Sequence, residues 1–446
     1  MAEFRFEIIK QDKNSRARAG VVHTRRGDIE TPHFVPVGTL ASVRSLDSAD
    51  LEMLGAQCAL VNTYHLHLKP GDELIKKLGG AHKFMNFSKP LFSDSGGFQA
   101  FSLGLAREHN IGKIGNFFPG EAEPAAGARL LPDLGTVEVK PQQDLPKGKN
   151  LTKISNKGIE FRSIYDGSRH FFDAKKSMEI QSNLNSDIIM AFDECTSPLS
   201  DYDYTKVAME RTHNWAKQSL KYHNKDQALY GIIQGGYFKD LRDISAKFIN
   251  DLPFDGIAIG GSLGKTKADM HEIIDWVIPQ LDARPAHSGE ARPAAVGRPR
   301  HLLGIGEIDD IFESVEQGID TFDCVAATRN ARRGCLFLLP PNGEPRSKGG
   351  PESGGSLANK FRINISRSEF KEDSEPIDPA CQCPICENYS RAYLRHLHEA
   401  RELSYFRLAT IHNLWFMLRL MEKIRESIKN ETFIDLKKKW LRITND

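Results

Sequence analysis

The sequence predicts an α/β fold whose main part is a (β/α)₈ barrel, or TIM barrel. Eight short apolar runs recur between residues 33 and 325, and helical patterns separate several of them. Alternating strands and helices build a parallel sheet, and eight strands can close it into a barrel. Polar or glycine-rich residues follow the runs, as expected of a fold that gathers its chemistry at the C-terminal ends of its strands.

An antiparallel hairpin is predicted ahead of the barrel, because residues 4–9 and 20–31 alternate apolar and polar side chains around an Arg-Arg-Gly-Asp turn. The strands predicted for the barrel are His33–Val37, Cys58–Asn62, Pro90–Ser93, Asp187–Phe192, Ala228–Ile233, Gly256–Gly260, His301–Ile305 and Gly318–Val325. The helices predicted between them are Ser48–Gly55, Asp203–Asn224, Lys239–Asn250, Lys267–Leu281 and Ile308–Gln317.

Three stretches interrupt this rhythm, at residues 105–156, 283–299 and 340–359. They are rich in Gly, Pro, Ala or Lys and poor in periodic apolar positions, which indicates surface insertions or loops. We therefore assign residues 1–345 to the barrel domain, with insertions at 105–156 and 283–299. Residues 346–446 are assigned to a smaller C-terminal subdomain with closing helices.

A metal site is predicted in that subdomain. Cys381, Cys383 and Cys386 form a Cys-x-Cys-x-x-Cys cluster, and three closely spaced thiolates can converge on one tetrahedral ion. The spacing leaves the fourth ligand open among His396, His398 and His412. Three cysteines and one histidine, with no open position, would make a structural zinc site.

Three aspartates end predicted barrel strands: Asp94, Asp193 and Asp323. Two opposed carboxylates can displace a group at an anomeric carbon, one attacking and the other protonating the leaving group. Beyond Asp323, Arg329 and Arg332 offer forked guanidiniums that suit phosphates. The alternatives are a structural Asp–Arg pair, a helix cap at Asp94 and a turn contact at Asp193.

The same end of the predicted barrel could bind a planar heterocycle. Gln234 and the N–H groups around Gly260 and Gly261 could form hydrogen bonds with it, and Phe98 and Leu303 could cover its faces. From the sequence alone, core packing is the better interpretation of both apolar residues.

Composition limits the class of protein. The net charge of +1 argues against nonspecific coating of nucleic acid. Seven cysteines, three of them clustered, do not resemble a disulfide framework. No apolar run approaches the ~18 residues of a membrane span, and the first residues lack the apolar core of a signal peptide. We expect a cytoplasmic protein without membrane contact.

Several motifs in this order resemble the tRNA-guanine transglycosylase family, the queuine tRNA-ribosyltransferases of bacterial type. They are Ser-Asp-Ser-Gly-Gly-Phe-Gln at 93–99, Met-Ala-Phe-Asp-Glu-Cys at 190–195, Phe-Asp-Cys-Val at 322–325 with Thr-Arg-Asn-Ala-Arg at 328–332, and the cysteine cluster followed by Thr-Ile-His-Asn at 410–413. The resemblance implies a barrel with a zinc-binding subdomain. It also implies exchange of the guanine at the wobble position of tRNA for a 7-deazaguanine, preQ1 or queuine, in queuosine biosynthesis.

The resemblance further implies a role for each candidate residue. Asp323 would attack C1′ of the ribose to form a covalent RNA–enzyme intermediate, and Asp94 would be the general acid/base. The remaining roles are reading the base edge (Asp193, Gln234, Gly261), sandwiching the base (Phe98, Leu303), holding neighbouring nucleotides (Arg329, Arg332) and binding one structural Zn²⁺ per subunit (Cys381, Cys383, Cys386, His412). A homodimer is also implied.

Two other functions compete with this one. A metal-dependent amidohydrolase would use His65, His67 and Asp323, but the middle strands offer Gln234 and Gly260 where it needs further ligands. A noncatalytic tRNA-binding subunit of a two-subunit transglycosylase would not need Asp323. One departure concerns the base: Lys265 follows Gly264 where bacterial members carry Glu, so the choice among preQ1, queuine and guanine stays open.

Overall fold

A computed structural model describes residues 4–101, 152–261, 263–282, 297–339 and 361–441. Of the predicted insertions, residues 105–151, 283–296 and 340–359 lie outside the described residues. No helix in the described ranges is both long enough and apolar enough to cross a bilayer.

The predicted barrel is confirmed as a parallel sheet of nine segments. In order around the sheet they are His33–Val35, Thr321–Asp323, Arg300–Leu302, Gly256–Ile259, Ala228–Ile233, Ile188–Met190, Leu91–Ser93, Ala59–Val61 and Val37–Gly38. The first and last segments are halves of one strand, interrupted at Pro36, and that strand pairs with neighbours on both sides. The eight predicted strands therefore close into a barrel. Several are shorter than predicted, because ladder pairing stops before the polar residues at their ends.

The predicted helices surround the barrel, together with shorter ones. In the barrel part they are Ser48–Met53, Thr63–Leu68, Asp72–Lys77, Ala81–Met85, Ala174–Leu184, Tyr202–Tyr222, Lys239–Asn250, Lys267–Asp282, Ile308–Glu316 and Ala326–Arg332. Side-chain caps fix some of their starts: Asp201 accepts the N–H of Tyr204 at 2.8 Å, and Asp173 accepts that of Lys176 at 2.7 Å.

The N-terminal hairpin is confirmed as part of a three-stranded antiparallel sheet. Its strands are Arg5–Gln11, Arg18–Thr24 and Gly27–Thr31. Phe6, Val22 and Ile29 of this sheet join one apolar cluster with Met190 and Tyr230 of the barrel strands. The sheet thus packs on the barrel interior and adds an apolar layer to it.

A second three-stranded antiparallel sheet, here called the lip sheet, consists of Thr152–Ser155, Gly158–Arg162 and Arg169–Phe172. Its first strand comes from residues that the sequence assigned to an insertion. Phe161 packs against Tyr64 with ring centroids 5.0 Å apart. The lip sheet therefore rests on the helix that follows barrel strand Ala59–Val61.

The C-terminal part is a two-stranded antiparallel pair with a group of helices. These elements are Cys335–Phe337 paired with Arg362–Asn364, the 3₁₀ turn Ser368–Phe370, and the helices Pro384–Asn388, Arg391–Ala400, Leu403–Lys429 and Phe433–Leu441. The motif residues Thr410 to Asn413 lie inside the helix Leu403–Lys429, here called the long helix. The helix before it ends at Ala400, and the next residue, Arg401, adopts a left-handed φ of 59°.

Candidate active site

The three aspartates all lie at the C-terminal ends of barrel strands. Asp94 directly follows Leu91–Ser93, Asp193 follows Ile188–Met190 after a short extension, and Asp323 ends its strand. The first and third are close enough for the charge of Asp323 to act on Asp94. The carboxylates that the sequence picked out separately thus share one end of the barrel.

Asp94 lies among amide donors. The Thr63 N–H donates to Oδ1 at 2.8 Å, Gln99 Nε2 donates to Oδ2 at 2.9 Å, and Asn62 also donates to Oδ2. Burial raises the pKa of Asp94 to about 7, and the charge of Asp323 adds to this rise. A carboxyl group with a pKa near neutrality can both give and take a proton.

The alternative role of Asp94 as a helix cap is not what the structure shows. Residues 97–101 are helical, and the Gly97 N–H donates to Ser95 Oγ at 3.2 Å. Asp94 instead accepts from donors on the preceding barrel connection and from Gln99. Within the described residues, its carboxylate therefore accepts no backbone N–H of this helix.

The two oxygens of Asp323 have different surroundings. Oδ1 lies 3.0 Å from His301 Nε2 and accepts the Gly304 N–H at 3.2 Å. No protein donor reaches Oδ2 within the described residues, and the side chain is 16% exposed. Among the residues that the structure describes, no arginine forms an ion pair with Asp323, which disfavours a structural Asp–Arg pair.

Ser95, Asp193, Gln234 and Gly261 form the base-edge cluster. Ser95 Oγ donates to Asp193 Oδ1 and Gln234 Nε2 donates to Oδ2, each at 2.7 Å. Burial raises the pKa of Asp193 to about 6, and the nearby charge of Glu194 adds to it. Gln234 Oε1 is buried without a hydrogen-bond partner among the described residues, so it can accept a bond from a ligand.

Glycine is required at position 261. Its φ is +83°, and a Cβ atom there would lie 2.0 Å from Gln234 Oε1. The neighbouring Gly260 is also crowded, because a Cβ would lie 2.9 Å from Leu303 Cδ1. The backbone at Gly260 and Gly261 thus lies so close to Leu303 and Gln234 that a side chain at either glycine would not fit.

The two predicted base covers both lie near this cluster. Leu303 packs on the edge of the barrel's interior apolar cluster and is partly exposed. Phe98 is also partly exposed and follows Gly97, where a Cβ atom would lie 2.4 Å from the Asp193 carbonyl oxygen. Neither residue is a fully buried core residue, so each retains surface that a ligand can contact.

Arg242 is a site residue that the sequence reasoning missed. Its guanidinium is fully buried and donates to the carbonyl oxygens of Gly236 at 2.7 Å, Gly260 at 2.9 Å and Ile233 at 3.2 Å. Burial lowers its pKa to about 10, so it stays charged at neutral pH. It ties together the two glycine-rich turns around the base-edge cluster. The signal was available, since Arg242 lies on the apolar face of its helix with Ala246.

Arg329 and Arg332 lie on the helix Ala326–Arg332, here called the Arg helix, which begins shortly after Asp323. Both are partly exposed. The helix is docked on the long helix: Asn413 Nδ2 donates to the Ala327 carbonyl and Tyr405 OH to the Ala331 carbonyl, each at 3.0 Å. The cationic stretch is thus a fixed helix beside Asp323.

The cysteine cluster forms a convergent donor set with His412. The four ligand atoms lie within 4.8 Å of one another, and all four residues are buried. His412 Nδ1 lies 3.4 Å from the sulfurs of Cys383 and Cys386 and 3.9 Å from that of Cys381. In tetrahedral zinc sites, bond lengths of about 2.1 and 2.3 Å place nitrogen and sulfur about 3.6 Å apart. The residues therefore fit a closed Cys₃His zinc site.

The structure selects His412 over the other two histidines. His412 Nε2 donates to the Phe337 carbonyl oxygen at 2.7 Å, which turns Nδ1 toward the sulfurs. His396 is exposed, and His398 packs against Tyr405. The prediction of a Cys₃His zinc site is confirmed to the extent that these four residues can hold the ion.

His65 and His67, the ligands of the rival amidohydrolase, have other partners. His67 Nδ1 lies 2.7 Å from Asp72 Oδ1, and its Nε2 lies 3.1 Å from Nδ1 of His170 in the lip sheet. His65 Nδ1 lies 3.4 Å from the hydroxyl oxygen of Tyr165. Over the ranges that the structure describes, only the Cys₃His group converges as metal ligands do. These histidines instead connect the lip sheet to the barrel.

Comparison with known proteins gives consistent matches. The family model for queuine tRNA-ribosyltransferase matches residues 12–117 and 129–446. A provisionally named queuine tRNA-ribosyltransferase of Archaeoglobus fulgidus is 50% identical over 426 residues, covering 96% of each chain. The queuine tRNA-ribosyltransferase of Caldanaerobacter subterraneus is 41% identical over 99% of this chain and 98% of its own, and that of Roseiflexus sp. is 40% identical over 98% and 99%.

Proposed function

This chain belongs to the queuine tRNA-ribosyltransferase family, and on that basis we propose that Asp323 and Asp94 perform its base exchange as nucleophile and general acid/base. The protein is a pentosyltransferase of tRNA modification, which exchanges guanine in tRNA for a 7-deazaguanine in queuosine biosynthesis. The observation that carries the residue assignment is the pairing of a free carboxylate oxygen on Asp323 with a near-neutral pKa at Asp94.

In the first half of the reaction, Asp323 Oδ2 attacks C1′ of the ribose as the bond from C1′ to guanine breaks. Asp94 is protonated at this stage and gives its proton to the departing guanine. The ribose is left bonded to Asp323 as a covalent intermediate. The raised pKa of Asp94 supports this role, because a substantial fraction carries the proton near neutrality.

In the second half, a ring nitrogen of the incoming base attacks C1′ and displaces Asp323. Asp94, now ionised, takes the proton from that nitrogen, so both carboxyl groups return to their starting states. The incoming base that we propose is preQ1 or queuine, and the exchanged guanine is the one at the wobble position. In this scheme Asp323 is first the nucleophile and then the leaving group, and Asp94 is first the acid and then the base, as in retaining displacements at an anomeric carbon.

The base-edge cluster would recognise the heterocycle. Asp193 and the free Oε1 of Gln234 accept hydrogen bonds, the Gly261 backbone approaches closely, and Leu303 and Phe98 cover the faces. A guanine-like edge carries N–H donors that match these acceptors. Lys265 does not supply a carboxylate here, and its N–H donates to Asp269 at 2.7 Å.

The Arg helix would contact the tRNA, and the zinc site would stabilise the part of the fold that holds this helix. Arg329 and Arg332 are partly exposed beside Asp323, where they can contact phosphates of nucleotides next to the exchanged one. Cys381, Cys383, Cys386 and His412 would bind one Zn²⁺ in a closed site that stabilises the fold. We further propose that the enzyme is a cytoplasmic homodimer, as in the family that it resembles.

The test is exchange of labelled guanine into unmodified tRNA by the wild type and by Asp323→Asn. The wild type should incorporate label and give a covalent RNA–protein band on a denaturing gel, and the variant should give neither. Exchange by a folded, zinc-loaded Asp323→Asn protein would refute the assignment. If the wild type is inactive alone but gains activity with a second subunit, the noncatalytic alternative is supported.

A further inference from the structure

We propose that His301 is a positioning residue that holds Oδ1 of Asp323 and thereby presents Oδ2 to the ribose. This inference rests on the proposed function of Asp323. It concerns a residue that the sequence reasoning treated only as the start of a predicted strand.

His301 and Asp323 lie on neighbouring barrel strands. The parallel register pairs His301 with Thr321 and Leu302 with Phe322. Leu302 and Phe322 belong to the apolar core outside the barrel strands, whereas Leu303 packs with the interior cluster. Because side chains alternate along a strand, His301, Thr321 and Asp323 point into the barrel on one face.

Both ring nitrogens of His301 have a defined partner. Nδ1 lies 2.9 Å from Thr321 Oγ1, and Nε2 lies 3.0 Å from Asp323 Oδ1. An ionised carboxylate can only accept, so Nε2 carries a proton, and in the neutral ring Nδ1 accepts the Thr321 hydroxyl proton. Thr321 thus favours the tautomer that donates to Asp323.

The ring itself has little freedom to move. His301 is fully buried, as is Thr321. The ring stacks on Phe92, with centroids 5.6 Å apart and planes inclined by 28°. A side chain locked by packing and by two hydrogen bonds can hold a reacting group within the narrow tolerance that displacement chemistry needs.

These contacts make the two carboxylate oxygens of Asp323 unequal. Oδ1 receives the His301 Nε2–H and the Gly304 N–H, whereas no described protein donor reaches Oδ2. Two donors on one oxygen fix the rotation of the carboxylate about its χ2 bond. The structure therefore assigns Oδ2 as the attacking oxygen and His301 as the group that keeps it aimed.

The alternative is that His301 only fills the barrel interior. The two roles differ in what the variants change. His301→Phe keeps a flat ring against Phe92 but cannot donate to Asp323. His301→Gln can place an amide N–H near the position of Nε2. Thr321→Val removes the hydroxyl that fixes the tautomer and preserves the side-chain shape.

The experiment measures steady-state guanine exchange and the single-turnover rate of covalent complex formation for each variant, with zinc content and thermal stability. We expect His301→Phe to lower both rates roughly 10²-fold, the effect of a small misplacement of a reacting group, with KM values for tRNA and guanine unchanged. His301→Gln should recover most of this loss. Thr321→Val alone should lower the rate of covalent complex formation. Added to His301→Phe, it should lower that rate no further, because the two residues act as a unit.

Two results would overturn the inference: a folded His301→Phe protein with the wild-type covalent rate, or His301→Gln as slow as His301→Phe while both are folded. If His301→Phe does not fold, Thr321→Val decides, and a loss of stability without a slower covalent step refutes the proposal. Exchange by Asp323→Asn would instead refute the proposed function itself, so the two failures are distinguishable.

Discussion

At the scale of single residues, two carboxyl groups at one barrel mouth differ because their surroundings differ. Burial and the nearby charge of Asp323 raise the pKa of Asp94 to about 7. Asp323 keeps one oxygen exposed and the other bonded to His301 and Gly304. One group is thus suited to proton transfer and the other to attack, although both are aspartates.

The pH dependence of the first half-reaction follows from Asp94. Its pKa is raised to about 7, so the protonated form that guanine departure needs is present below pH 7 and is lost above it. We expect single-turnover formation of the covalent complex to fall as the pH rises through about 7. Asp94→Asn should lose roughly 10²- to 10⁴-fold in rate. The measurement is the pH profile of the denaturing-gel band.

Gln99→Leu serves as the matched variant for this profile. The Gln99 hydrogen bond lowers the pKa of Asp94, so removing it should move the midpoint to higher pH. A wild-type rate that does not change around pH 7, or an unmoved midpoint in Gln99→Leu, would contradict the assignment of Asp94.

Gly261 gives a second prediction at this scale. In Gly261→Ala the Cβ would lie 2.0 Å from Gln234 Oε1 at a φ of +83°. Moving Gln234 away relieves this strain in the free enzyme, and base binding must restore it at a cost of about 1–3 kcal/mol, so we expect base affinity to fall about 5- to 150-fold by isothermal calorimetry. Gly167→Ala is the control, because its φ is +75° but nothing lies within 4 Å of a Cβ there. Equal effects of both variants on base affinity would refute the contact with Gln234.

At the scale of elements, the long helix links the Cys₃His cluster to the Arg helix beside Asp323. His412 is one of the four residues that can hold zinc, and the next residue, Asn413, binds the Arg helix. Asn413 Nδ2 donates to the carbonyls of Ala327 and Cys335, and its Oδ1 accepts the Phe337 N–H, each at 3.0 Å. One side chain thus joins the long helix, the Arg helix and the strand Cys335–Phe337.

Asn413→Ala should therefore loosen the Arg helix. It leaves buried backbone groups without partners, each costing about 1–3 kcal/mol. We expect a lower melting temperature and weaker tRNA binding in filter assays, with base binding nearly unchanged. Asn388→Ala removes an exposed asparagine whose side chain, among the described residues, bonds only the Pro384 carbonyl in its own helix turn, and it should behave as the wild type. A tRNA affinity unaffected by Asn413→Ala would show that the Arg helix does not depend on this contact.

At the scale of the whole molecule, the barrel is packed on the N-terminal sheet and bound to the C-terminal helices. Arg18 pairs with Asp320 through two hydrogen bonds of 2.8 and 2.6 Å. Arg25 and Arg26 both pair with Asp187. On the C-terminal side, the buried His412 donates to Phe337 of the segment that leaves the Arg helix. The C-terminal helices thus support the barrel end that carries Asp94 and Asp323 without contributing either carboxylate.

Metal removal should separate these contributions. A structural zinc site stabilises the fold that holds its ligands, so chelation should unfold the C-terminal segment and weaken tRNA binding more than base binding. The measurements are zinc content, circular dichroism and the two affinities. Cys383→Ser should reproduce the effect of the chelator, and Cys335→Ser, which lies outside the ligand set, should retain zinc. Loss of catalysis with an intact C-terminal segment would instead indicate a metal elsewhere.

The sequence by itself determined the strand order, the hairpin, the cysteine motif and the candidate aspartates. These features are local: an apolar run, a turn or a spacing is readable without knowing what packs against it. The family motifs added the roles of the residues. By contrast, the break before the long helix lies at Arg401, which adopts a left-handed φ that no periodicity predicts.

Only the tertiary structure decided which groups meet. His412 was chosen over His396 and His398 because its Nδ1 converges on the three sulfurs. Arg242 and His301 were overlooked because a buried polar residue inside an apolar element is read from sequence as an isolated exception. Their partners lie on other strands and turns, and contacts between residues far apart in the chain exist only once the barrel has closed.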